Sequence, residues 1–152
     1  MTLLQAERAT KQEVAEFWDR NPCGSFASDG RPGGRRFYEQ VARYRYDSQP
    51  FMRKLMGFDA YAGKRLLEVG CGLGTDLLQF ALGGSAVVGV DLSAQSVSLA
   101  AEHFRVFDAR GGFLSGDAER LPFADGSFDV VYSFGVLHHT PNTFEALKAA
   151  TA

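Results

Sequence analysis

Little in this sequence ties it to an oxidising, metal-bound or membrane setting. It holds only two cysteines, Cys23 and Cys71, far apart and outside any CxxC or Cys/His ligand pattern, which argues against a disulfide framework and a zinc site. No apolar run approaches the roughly 20 residues of a membrane span. The opening Met1-Thr2-Leu3-Leu4-Gln5-Ala6-Glu7-Arg8 lacks the charged-then-apolar order of a secretory signal, so the expected location is the cytoplasm. Charge of one sign is scarce too. The formal net charge of −2 gives no case for nucleic-acid binding by bulk charge. There is no internal repeat and no low-complexity segment.

What is present is ordinary globular material, 45% hydrophobic and 22% charged, in a length that suits one domain. Residues 1–64 hold eleven Lys and Arg against eight Asp and Glu, whereas residues 65–152 hold five against ten. A solvated mixed-charge face accounts for the basic front better than an anionic substrate or a membrane surface does. Residues 3–20 predict a helix, ended by Asn21-Pro22 because proline disfavours helix in the residue before it. Residues 21–36, with Pro22, Gly24, Gly30, Pro32, Gly33 and Gly34, have loop composition. Residues 37–58 are rich in aromatics and predict one or two helices. We expect residues 1–60 to form a helical cap or substrate segment and residues 61–152 an α/β ligand-binding unit.

From Lys64 the rhythm changes to short apolar runs at Arg65–Val69, Val87–Val90, Gly112–Leu114 and Phe128–Phe134. Helical stretches lie between the early ones, at Thr75–Leu82 and Ala94–Phe107. Strands alternating with helices imply a parallel sheet, and nearly continuous apolar strands suit burial on both faces. After the first run comes Glu68-Val69-Gly70-Cys71-Gly72-Leu73-Gly74. Glycine serves where the backbone takes positive φ or where a ligand touches the main chain. The helix behind presents free N–H groups, with Thr75 and Asp76 as capping candidates.

The spacing bears on which ligand this loop holds. The dinucleotide fingerprint is GxGxxG, whereas here the glycines fall at 70, 72 and 74, with threonine at 75. Asp91, ending Val87-Val88-Gly89-Val90-Asp91, stands where an acid hydrogen-bonds a ribose diol. Asp117, in Gly116-Asp117-Ala118, is placed to accept from an adenine amino group. A helix cap before Ser93 and a turn aspartate are the plainer readings of Asp91 and Asp117. Every singled-out polar residue falls at a strand's carboxyl end, where open parallel sheets bind ligands.

These residues resemble the class I S-adenosylmethionine-dependent methyltransferases, in particular the ubiquinone and menaquinone biosynthesis group. Four ordered segments carry the resemblance: Glu68–Gly74, Val90-Asp91-Leu92-Ser93, Gly116–Phe123 and Phe128-Asp129-Val130-Val131. It covers about residues 37–148. It implies a Rossmann-like α/β fold, S-adenosylmethionine as cofactor and methyl transfer to a small-molecule or lipid-like acceptor. It also implies site roles. Gly70, Cys71 and Gly72 approach the methionine part by their backbone, with Gly74 completing the loop and Glu68 supporting it and the cofactor amine. Asp91 holds the ribose hydroxyls, beside Ser93, and Leu92 packs on the adenine that Asp117 and Ala118 read. Ser133 or Phe134 lines the pocket near the sulfonium, and Tyr46, Arg45 or Tyr38 closes over the cofactor. No metal is implied. His138 and His139 are the candidate general bases, since histidine titrates near neutral pH, with a structural pair as the plainer reading.

The family's sheet has seven strands, ordered 3-2-1-4-5-7-6. This sequence runs out in the helix after strand four, so the expected sheet is 3-2-1-4 with an exposed apolar edge at strand four. A fragment of a longer reading frame, a truncated non-catalytic cofactor-binding module, and a homodimer completed through that edge are the open explanations. An NAD-dependent oxidoreductase is the remaining rival, disfavoured by Thr75 and by the Asp117 motif.

Overall fold

The computed structural model describes residues 10–151. Beyond Arg65 the apolar runs become four parallel strands: β1 (Arg65–Val69), β2 (Ala86–Asp91), β3 (Gly112–Ser115) and β4 (Val130–Tyr132). They form one sheet in the order β3-β2-β1-β4, the expected 3-2-1-4 arrangement. The register pairs Leu67 with Val88 on one side and with Val131 on the other, so β1 is central. Successive side chains of a strand point to opposite faces. Leu66 therefore packs with Leu77, Phe80, Val87 and Phe104, while Leu67 packs with Val69 and Val90 on the other face. The fold class is α/β, Rossmann-like.

The fourth strand is shorter than its apolar run. Pairing covers Val130–Tyr132 rather than Phe128–Phe134. The flanking residues have other uses. Phe128 sits edge-on to Phe123 at 4.9 Å, and the Asp129 carboxylate accepts from the Arg65 backbone N–H at 2.8 Å. Ser133 turns its hydroxyl onto the Val69 carbonyl at 2.8 Å. β4 is one of the two edge strands, and Val131 on it is partly exposed.

Helices α4 (Thr75–Leu82) and α5 (Ala94–Val106) connect β1 to β2 and β2 to β3, and α6 (Thr143–Thr151) follows β4. Ser93 caps α5, its hydroxyl accepting from the Ser96 N–H at 3.0 Å. α4 begins differently from the sequence expectation: its N-cap is Gly74, which makes no side-chain cap, and Asp76 is engaged elsewhere.

The N-terminal segment forms α1 (Lys11–Arg20), α2 (Arg35–Ser48) and α3 (Phe51–Met56). The expected helix over 3–20 is observed from Lys11. Its earlier part, with Leu3 and Leu4, lies outside the described residues. Thr10 and Glu13 make a reciprocal capping box at its start. α2 is anchored by Phe37, Tyr38 and Val41, which pack with Leu73 and Leu99. Tyr38 donates to the Leu99 carbonyl at 2.7 Å and stacks on His103 at 4.1 Å. Burial lowers the His103 pKa, and its Nδ1 lies 2.8 Å from the carbonyl of Leu73 in the glycine loop. No helix among the described residues is long and apolar enough to cross a membrane.

Candidate functional site

The loop leaving β1 has a conformation that only glycine adopts cheaply, with φ of +79° at Gly70, +51° at Gly72 and +70° at Gly74. A side chain at Gly70 would also strike the Val136 side chain. The loop is hung from β2: the N–H groups of Gly70 and Cys71 both donate to the Val90 carbonyl, at 2.7 and 3.0 Å. Gly89 lets it lie close, because a Cβ there would sit 2.8 Å from the Cys71 sulfur.

A cavity of about 500 Å³ opens where these strands end. Glu68, Gly70, Cys71 and Gly72 line it from β1, Asp91 and Leu92 from β2, and Asp117 and Ala118 from β3. Phe134 and His139 line it from the segment after β4. The structure thus gathers most of the sequence-predicted residues around one space. The others lie beside it. Gly74 caps α4, Ser93 is buried as the cap of α5, and Ser133 is spent on Val69. The Tyr46 hydroxyl donates to Asp76 at 3.0 Å. His138 and His139 form a short 3₁₀ turn with rings 3.9 Å apart, and only His139 of the two lines the cavity.

Three carboxylates shape the site. Asp91 accepts from the Gly72 N–H at 2.8 Å and from the Ser93 N–H at 2.9 Å, one to each oxygen. Burial nevertheless raises its pKa. Asp117 accepts from the Glu119 N–H on one oxygen and from Lys11 Nζ, at 2.6 Å, on the other; Lys11 also reaches Glu119 at 2.6 Å. A carboxylate oxygen has two lone pairs, so both Asp91 and Asp117 keep capacity for a ligand. Glu68 is buried, its Oε2 has no partner, and burial followed by the nearby Asp76 charge raises its pKa strongly.

Beneath the loop, Asp76 is the hub of a buried network. It accepts from two nitrogens of Arg45, from Tyr46 and from Tyr132. The Arg45 guanidinium also lies 4.8 Å from the centre of the Phe134 ring. Lys11, Glu119, the hub role of Asp76, and Asp19, which accepts from the Ser93 hydroxyl at 2.6 Å, were not singled out by sequence reasoning. Their partners are remote in the chain, with Lys11 and Asp117 106 positions apart, so no local pattern announces them.

The protonation of Glu68 gives a test by linkage. The folded state holds this proton to higher pH than the unfolded chain, so it binds more protons between the two pKa values. Its contribution to stability is therefore complete below the ordinary value of 4.5 and is lost as pH rises toward the folded value. Glu68→Gln removes that loss. We expect thermal melts to show the variant more stable than the parent at about pH 8 and not at about pH 4. Equal melting-temperature differences at both pH values would mean that Glu68 is not held protonated.

Comparison with known proteins agrees with this geometry. The family model for a methyltransferase domain matches residues 67–151. The 27-O-demethylrifamycin SV methyltransferase of Amycolatopsis mediterranei is 36% identical over 59% of this chain and 34% of its own length. The malonyl-[acyl-carrier protein] O-methyltransferase of Pectobacterium atrosepticum is 34% identical over 86% of this chain and 44% of its own. A putative methyltransferase structure from Bacillus halodurans superposes with a TM-score of 0.59 at 31% identity, over 65% of this chain and 44% of that one. The magnesium protoporphyrin IX methyltransferase of Synechocystis, solved with bound S-adenosylmethionine, gives 0.68 at 21% identity over 96% and 72%. This chain spans less than half the length of these two curated relatives. It belongs to the methyltransferase-domain family, and the cofactor to set against its cavity is the S-adenosylmethionine bound in the Synechocystis structure.

The residues present fit that cofactor. Glu68 is a buried acid with an unpartnered oxygen at the cavity wall, which suits a cationic amino group. The glycine loop leaves room for close main-chain approach at Gly72, where a Cβ would have nothing nearer than Cys23 Cβ at 4.0 Å.

Proposed function

We propose that the protein transfers the methyl group of S-adenosylmethionine to a small-molecule acceptor. The observation that carries this reading is the convergence of Glu68, the glycine loop, Asp91 and Asp117 on one cavity that also has room beside them, against Phe134 and His139. Bound there, the cofactor supplies a methyl group already activated by its sulfonium leaving group. The protein's own work is then binding, alignment and exclusion of water.

In this reading the backbone of Gly70, Cys71 and Gly72 approaches the methionine part, and Glu68 accepts from its amino group. The two Asp91 oxygens each take a ribose hydroxyl on their free lone pairs. Leu92 packs on the adenine, and Asp117 and Ala118 read its edge. Phe134 bounds the methyl-transfer end. Ser93 and Tyr46 act from behind, Ser93 by holding the α5 terminus and Tyr46 by holding Asp76. His139 removes a proton from the acceptor nucleophile. His138 supports it through the ring contact rather than reaching the cavity.

A radiolabelled methyl-transfer assay against a panel of small-molecule acceptors, beside a binding titration with S-adenosylhomocysteine, tests the reading. Binding without transfer to any acceptor would favour a module that holds the cofactor without turnover. For the proton transfer, His139→Ala is expected to lower turnover about a hundredfold, the usual scale for loss of a general base, with cofactor affinity kept. His138→Ala should change turnover much less. Equal effects of the two would remove the distinction between them.

A further inference from the structure

The segment between β4 and α6 carries Phe134, Val136 and His139 to the cavity wall, yet its regular structure is limited to the 3₁₀ turn Leu137–His139. Bonds inside it include those from the His139 N–H to the Val136 carbonyl at 2.9 Å and from the Thr140 hydroxyl to the Leu137 carbonyl at 2.8 Å. Such bonds set the shape of the turn but not where it lies against the sheet. Leu137 supplies an apolar contact, packing on Leu67, Val69 and Val90. Polar ties to the rest of the molecule include one at each end. At the start, the Ser133 hydroxyl donates to the Val69 carbonyl at 2.8 Å. At the far end, just past His139, the Asn142 N–H donates to the Glu119 carboxylate at 2.8 Å.

Glu119 is itself held on both sides. Its N–H donates to Asp117 at 2.9 Å, which fixes the turn after β3. One carboxylate oxygen takes the Asn142 N–H and the other takes Lys11 Nζ at 2.6 Å. The Lys11 ammonium, and after it the Asn142 N–H, lowers the Glu119 pKa. The side chain is therefore an anion at neutral pH and a stronger acceptor than a neutral group. Asn142 passes the tie on to α6, its side-chain oxygen accepting from the Glu145 N–H at 3.4 Å. Glu119 does not line the cavity, so it can act on the chemistry only through the segment it holds.

We propose that Glu119 is a positioning residue for methyl transfer: by accepting from the Asn142 N–H it holds the segment after β4 so that His139 stays at the cavity wall. The assignment rests on the reading of His139 as the group that removes the acceptor's proton, and adds to it the residue that keeps it in place. A base works only within hydrogen-bond reach of its proton, so a displacement of about 1 Å is felt in turnover.

The histidines give a direct readout, because the chain has only three, His103, His138 and His139. Their ring protons are followed by NMR in the full chain, with His139→Ala identifying the His139 signal. Adding S-adenosylhomocysteine should shift that signal in the parent and in Glu119→Gln, whose carboxamide oxygen still accepts from Asn142. In Glu119→Ala the shift should be lost while S-adenosylhomocysteine affinity stays unchanged. Hydrogen exchange at the Asn142 amide should rise about fivefold in Glu119→Ala, the worth of one hydrogen bond, and not in Glu119→Gln. With any acceptor that the methyl-transfer panel yields, Glu119→Ala should lower kcat about tenfold and add nothing to His139→Ala. A parent-like His139 shift in Glu119→Ala, equal losses in the alanine and glutamine variants, or a further loss of turnover in the His139→Ala background overturns the positioning role. So does a fall of S-adenosylhomocysteine affinity in Glu119→Ala, which would place that residue in cofactor binding. If Glu119→Ala does not fold, Glu119→Asp carries the test: its shorter carboxylate keeps the charge beside Lys11 and withdraws from Asn142, and a parent-like His139 shift there overturns the role. A His139 signal that bound S-adenosylhomocysteine leaves unmoved in the parent takes His139 out of the site and the positioning role with it. Failure of S-adenosylhomocysteine itself to bind refutes the underlying methyltransferase reading instead.

Discussion

Asp91→Ala is expected to weaken S-adenosylhomocysteine binding about a thousandfold, measured by calorimetric titration. Two hydrogen bonds from ribose hydroxyls to a partly desolvated carboxylate are worth together about 4 kcal/mol. The structure adds a second route to the same loss. Asp91 also holds the Gly72 and Ser93 backbone N–H groups, so removing it loosens the glycine loop and the start of α5. The two routes separate with smaller ligands. If Asp91 binds the diol, the parent protein prefers adenosine to 2′,3′-dideoxyadenosine and Asp91→Ala abolishes the preference. If the carboxylate serves only the loop, the variant weakens both nucleosides by the same factor. Asp91→Asn is the intermediate case. It keeps one oxygen as an acceptor but turns an NH₂ group toward one of the two backbone donors, so affinity should fall without reaching the alanine level.

The comparison of Asp91 with Asp76 explains what was legible in the sequence. Asp91 stands at the end of a five-residue apolar run and two residues before a helix-capping serine. That local pattern places it at a strand's carboxyl tip, where the structure finds it. The same logic located the first three strands to within one residue at each end, while the sheet order followed from the family resemblance. Local pattern failed where side chains found partners far along the chain. Phe128 and Phe134 look like strand residues by composition, but one packs on Phe123 and the other under Arg45. Asp76 looks like a cap because it follows the glycine loop at a helix start. Its side chain instead meets Arg45 and Tyr132, 31 and 56 positions away. Lys11 had no reading at all, because only the folded sheet brings Asp117 and Glu119 to it. Of the two candidate histidines, adjacent in sequence and chemically identical, the 3₁₀ turn brings one to the cavity wall.

Asp76 also carries the largest expected effect on stability. It is 3% exposed and accepts from Arg45, Tyr46 and Tyr132 at once. Asp76→Ala leaves a half-buried guanidinium and the Tyr132 hydroxyl without their acceptor, and Tyr46 with only the long 3.4 Å bond to the Thr75 carbonyl, a class of change that costs about 3–5 kcal/mol. Denaturant titration should report that loss as a lower midpoint with the slope retained. A neighbouring group modifies the outcome. The unpartnered oxygen of Glu68 is also close enough to feel the Arg45 charge, and the Asp76 charge is one reason that Glu68 favours its protonated form. With Asp76 gone, Glu68 becomes easier to ionise and Arg45 is free to turn to it. Glu68→Gln should therefore change sign with background: stabilising in the parent at about pH 8, destabilising in Asp76→Ala at the same pH. Strict additivity of the two substitutions would show that Arg45 does not re-pair, and that the cost of Asp76→Ala is borne by an uncompensated half-buried cation.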